Sequence, residues 1–129
     1  MDTTQASVST DVYSPDFLIA GNADDIIVRT YTLAAGQKYL RGAVLGKITA
    51  SGLLTLSTSG ANDGSQTAFA VLAQDCDATA GSVPGLTYVA GTFAAQALKL
   101  GAGQTIANVT EQLRGLSINI VSVMDGLPA

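Results

Sequence analysis

Glycine cuts this chain into short pieces, and that limits what it can fold into. Fourteen glycines fall across 129 residues. The apolar and β-branched runs between them have the length of strands, about four to eight residues, and favour a small barrel over a parallel sheet. Residues 26–33 read as a strand, with Ile27, Tyr31 and Leu33 on one face and Val28 on the other. Residues 34–37 form a turn. Two further strands, 43–49 and 53–56, are joined by a three-residue hairpin loop whose Gly52 supplies a left-handed conformation. Gly42 and Gly46 mark a bulge or sharp bend. Residues 57–66, with Asn62, Asp63 and Gly64, form a loop, and 78–85 form another. Strands follow at 68–73 and 87–93.

Helix is scarce. Residues 94–100 suit a turn or two, stopped by Gly101. Residues 105–114 suit a helix: Thr105 can cap it, Ile106, Val109 and Leu113 share a face, and Gly115 stands where a C′ glycine ends a helix. A last strand spans 117–123. The pattern predicts a mainly β domain over residues 15–129, a small, partly open barrel or β-clip-like fold with one or two short helices.

Residues 1–14 differ in kind. They are polar, rich in Thr and Ser, and too poor in apolar groups to offset the entropy of ordering, so they read as a flexible arm. Within the arm the residues alternate. Val8, Thr10 and Val12 fall on one face, and Ser7, Ser9, Asp11 and Tyr13 on the other. That period of two suits a strand that forms when a partner offers an edge.

Composition removes several functions. The chain has six Lys and Arg against ten Asp and Glu and no histidine. Phosphate contacts supply most nucleic-acid affinity, and scattered cations on an acidic chain cannot make them, so no nucleic-acid partner is expected. Without histidine the commonest general base and metal ligand are missing. A lone cysteine, Cys76, cannot form an internal disulfide or a thiolate zinc site. No signal peptide is expected, because residues 1–12 have no basic start and no apolar run, and no membrane span, because the longest uncharged stretch is broken by Gly81, Pro84, Gly85 and Gly91. Only 12% of residues are charged while 47% are hydrophobic. Such a surface is better covered by another protein than by water, and assembly is expected.

No candidate catalytic set survives. Asp75 and Asp77 flank Cys76 and make its thiol less acidic, so Cys76 reads as a small buried residue at a strand end. Asp16, Asp24 and Asp25 lack the spacing of a calcium loop. Gly101 and Gly103 precede a helix without the lysine of a phosphate loop. Asn108, Val109 and Thr110 match a glycosylation acceptor by chance, within a predicted helix. No catalytic, cofactor-binding or metal-binding residue is assigned, and no cofactor is expected.

A series of segments resembles the head decoration proteins of tailed bacteriophages, the lambda-type capsid-stabilising family. They are S-P-D-F-L-I-A-G (14–21), L-A-A-G-Q (33–37), L-R-G-A-V-L-G-K-I (40–48), D-G-S-Q (63–66), A-V-L-A (70–73), D-A-T-A-G (77–81) and G-T-F (91–93), in the family's order. The resemblance implies a non-enzymatic protein of the virion, made in the host cytoplasm. It would sit as a homotrimer on the outer surface of the expanded head, at three-fold and quasi-three-fold positions. There it would cement neighbouring major capsid proteins against the pressure of packaged DNA. By position, the arm residues Val8, Thr10, Val12 and Tyr13 would be the capsid-binding ones.

Three other readings are weighed. A tail or baseplate module would share the β-rich, low-charge composition. A small carbohydrate-binding module would need aromatic platforms, and the chain has no Trp and only Tyr13, Tyr31, Tyr39 and Tyr88 as substitutes. A hydrolase would have to work through paired Asp residues alone.

Overall fold

The computed structural model describes residues 18–20 and 25–121. In chain order the elements are β1 (Ile27–Leu33), β2 (Lys38–Tyr39), β3 (Val44–Lys47), β4 (Leu54–Leu56), β5 (Ala68–Leu72), β6 (Cys76–Asp77), β7 (Val83–Ala94), a 3₁₀ turn (Ala95–Ala97), α1 (Ile106–Arg114) and β8 (Ile118–Val121).

The mainly β barrel expected from the sequence is present, and its ring closes. Neighbours run β1-β4-β3-β5-β7, and β7 pairs back onto β1, so five strands form a closed barrel. β8 adds to β7 in parallel outside the ring, with Gly91 opposite Ile118 and Ala94 opposite Val121. Closure depends on β7, a strand of twelve residues. Its first part pairs with β1 from Leu33 opposite Val83 to Ile27 opposite Ala90, and its last part carries β8.

Two apolar cores lie on the two faces of this sheet. Leu33, Leu45, Leu54, Ala70 and Leu72 are fully buried in one, and the half-buried Val83 and Val89 pack against them. All five ring strands contribute, so this core is the barrel interior. The other core joins Val44, Val71, Tyr88 and Phe93 to Val109 and Leu113 of α1, Ile118 of β8 and Leu18. It is the layer between barrel wall and helix. Neighbouring residues on a strand point to opposite faces, which is why Val44 and Leu45 end in different cores.

The ladder between β3 and β5 is irregular where the sequence suggested a bulge. Leu45 faces Ala70 and Gly46 faces Ala68, leaving Phe69 as the extra residue. Gly46 is required there, since a Cβ would stand 2.0 Å from the Ser65 carbonyl oxygen.

Three expectations are corrected: the start of β7, the conformation of Gly115 and the burial of Cys76. β7 starts at Val83, not at 87, because Pro84 and Gly85 are part of the ladder to β1. Gly85 is there for space: a Cβ would lie 2.8 Å from Leu33 Cδ1. The turn expected within residues 94–100 is present as the 3₁₀ turn. Gly115 keeps a right-handed conformation, with φ −71°, and the left-handed residue after α1 is Ser117, with φ 72°. Cys76 is half-buried, not buried, because β6 lies at the rim of the interior core, paired with β2.

Candidate docking surfaces

The arm residues singled out in the sequence, Val8, Thr10, Val12 and Tyr13, lie outside the described residues. Leu18 is buried in the core beneath α1. Its carbonyl accepts from Ala94 N at 2.8 Å, Ala20 N donates to the Thr92 carbonyl at 2.9 Å, and Ile19 bridges Phe93 in antiparallel fashion. Residues 18–20 therefore prolong, along the same edge of β7, the line that β1 occupies further on.

Exposed apolar side chains gather around β1. Ile27 is 51% and Val28 46% exposed, and Leu86, on the neighbouring β7, is 38% exposed. The edge is also open. β4 meets β1 only where Leu33 faces Leu54, so residues 27–32 are bonded on the β7 side alone among the described strands. An exposed, apolar, unpaired edge is a template for another strand. Sequence reading missed this surface, although its signal was there: Ile27 and Val28 are adjacent and cannot both turn inward from a regular strand.

A shallow groove of about 410 Å³ is lined by Ala95, Gln96, Ile106, Ile120 and Val121. A smaller one, about 110 Å³, runs past Leu40 with Lys38 and Lys99 at its sides. The backbone beside it is held by a set of polar contacts. Arg41 donates through Nη1 to the Ala73 carbonyl (2.6 Å) and to Tyr88 Oη (2.9 Å), while its backbone N donates to Asp75 Oδ1 (2.7 Å). Lys99 Nζ donates to the Arg41 carbonyl at 2.9 Å. These groups brace the segment.

The other candidates have structural explanations. Asp63 accepts from the hydroxyl and the backbone N–H of Ser65, at 2.6 and 3.0 Å, and these bonds hold its pKa below the ordinary carboxylate value. Asp77 is held low in the same way by Thr79. Burial pushes the Cys76 thiol up, and the charge of Asp75 adds to it. Gly101 and Gly103 pack on the loop at 57–59: a Cβ on Gly101 would meet the Ser57 carbonyl oxygen at 2.1 Å. Val109, inside the glycosylation-like triplet, is fully buried. Asp16 and Asp24 lie outside the described residues, and among the described residues no three His, Cys, Asp or Glu come together. Tyr39 and Tyr88 are buried and Tyr31 stands edge-on to Phe69 at 5.4 Å, so none of the described tyrosines offers the open platform a sugar needs.

No described helix is long and apolar enough to cross a membrane. What remains is a braced barrel with apolar surface around an open strand edge and a tethered N-terminal segment. A search of curated proteins finds no match. The family model described as bacteriophage lambda head decoration protein D matches residues 8–120, and the chain belongs to that family.

Proposed function

We propose that the protein binds as a homotrimer on the outer surface of the expanded phage head, at three-fold and quasi-three-fold positions. There it cements neighbouring major capsid proteins against internal DNA pressure, as a structural protein that performs no catalysis and needs no cofactor. The family is one of capsid-associated, structural virion proteins, and its matched region includes the alternating stretch at Val8, Thr10 and Val12. The observation that carries the reading is this match together with the anchoring of Leu18 and Ala20 to β7, which ties whatever the N-terminal segment grips to the barrel wall.

Three arms on one body explain the use of a trimer. Ordering about ten residues costs roughly 1–2 kcal/mol each in backbone entropy, which leaves one arm a feeble anchor. Holding three together raises the effective concentration of the second and third contacts, and avidity adds a factor of roughly 10² or more. An acidic chain also suits the side of the shell away from packaged DNA.

A chain lacking residues 1–14 should remain a folded trimer and lose binding to expanded, undecorated shells. Co-sedimentation of the truncated chain with such shells checks this, and undiminished binding would remove the arm from the account.

A further inference from the structure

The open edge of β1 carries a pattern that the N-terminal segment repeats. By strand geometry Val28, Thr30 and Thr32 share one face of β1, and Arg29 and Tyr31 the other. Paired as a strand, residues 8–13 would set Val8, Thr10 and Val12 on one face and Ser9, Asp11 and Tyr13 on the other. We propose that residues 8–13 of a second copy add to β1 as an antiparallel strand, in the register that sets Asp11 opposite Arg29.

That single register aligns Val12 with Val28, Thr10 with Thr30 and Val8 with Thr32. It places β-branched pairs on one face and an opposite-charge pair on the other, the combinations that stabilise antiparallel neighbours. It also supplies hydrogen-bond partners to the outward backbone groups of 27–32 and covers Val28, which is 46% exposed.

Charge favours this occupant. Arg29 is the one charged residue of β1, it is exposed, and no carboxylate among the described residues pairs with it. The described residues hold all six Lys and Arg but only five of the ten carboxylates. Asp2, Asp11 and Asp16 belong to the first 17 residues, which contain no Lys or Arg. An acidic segment thus meets the lone cation on an otherwise uncharged edge.

Register favours a second copy over the same one. Residues 18–20 lie opposite 92–94 of β7, whereas Ile27 lies opposite Ala90. A segment reversing ahead of Leu18 through a two-residue turn, the tightest common hairpin, would set Tyr13 beside Ala20. That falls short of Ile27, and the Asp11–Arg29 pairing is lost. Seventeen extended residues span roughly 56–61 Å, ample to reach a neighbour in an oligomer.

The inference rests on reading residues 8–13 as an added strand, and it gives that strand a resting place on the free oligomer before any shell is met. Hydrogen exchange of the amides of 27–32, in the full chain and in the chain lacking 1–14, tests it. The outward amides should exchange about tenfold more slowly in the full chain. Isotope-labelled truncated protein mixed with excess full chain should regain that protection. Arg29→Asp should lose it, Arg29→Asp with Asp11→Arg should restore it, and Arg29→Lys should keep it. Equal exchange in the full and truncated chains would overturn the proposal. Protection that never returns in the mixture would overturn it too, by assigning the strand to its own copy. Shell co-sedimentation is read on the same samples: loss of shell binding with unchanged β1 exchange removes this inference and leaves the proposed function standing.

Discussion

At the scale of single residues, close approach decides which glycines are irreplaceable. Gly46 faces Ser65 so tightly that an added methyl has nowhere to go, whereas Gly60 has nothing within 4 Å and ordinary backbone angles. Gly46→Ala should therefore lower stability by about 1–3 kcal/mol, as overpacking does, and Gly60→Ala should change it by less than about 0.5 kcal/mol. Denaturant melts of the two variants check the contrast. Sequence reading found Gly46 as a bend because a glycine inside a strand is a local signal. It misread Gly85, whose reason for being small is Leu33, more than fifty positions away in the chain. The same limit hid the exposure of Ile27 and Val28: two adjacent apolar residues say that one must face outward, but not that both would.

At the scale of elements, α1 is built from signals that lie next to each other. Thr105 Oγ1 accepts from Asn108 N at 3.2 Å, and Val109 and Leu113 are fully buried on the inward face. Thr105→Ala should lower stability by about 1 kcal/mol, measured by thermal or chemical unfolding. The exit from the helix works differently. Ser117 adopts the left-handed conformation that Gly115 was expected to adopt, and a side chain there costs roughly 1–2 kcal/mol. Ser117→Gly should be tolerated or stabilising, and Ser117→Val should be clearly destabilising in the same assay. The cap and the strands β1, β3, β4 and β5 were legible because periodicity and turn residues announce them. β2 and β6 have two residues each and carry no period to read. The first part of β7 was hidden by Pro84 and Gly85, which look like punctuation until β1 lies alongside them.

At the scale of the whole molecule, the closure of the barrel was not legible, because it rests on Ile27 meeting Ala90 and no local pattern encodes that pairing. Two carboxylates, Asp63 in the loop after β4 and Asp77 in β6, accept from neighbouring hydroxyl and backbone N–H groups, and this gives the fold a sensitivity to acid. Asp63 and Asp77 have folded-state pKa values below the ordinary 3.8. Their contribution is complete above that value and is lost as pH falls through the depressed pKa values. Unfolding midpoints should drop on acidification below about pH 4, and a variant carrying Asp63→Asn and Asp77→Asn should show a shallower drop. The extra residue in β5 has a consequence of another kind. Both faces of that strand are occupied, Val71 serving the helix side and Leu72 the interior, so dropping either would send its neighbours into the wrong compartment. Phe69 is the exception. It stands outside the one-to-one count, and its loss would leave Ala68, Ala70 and Val71 with the partners they already have. Shortening by one amino acid is thus compatible with the pairing frame at that position, and what it forfeits is the packing of the Phe69 ring against Tyr31 and Lys47.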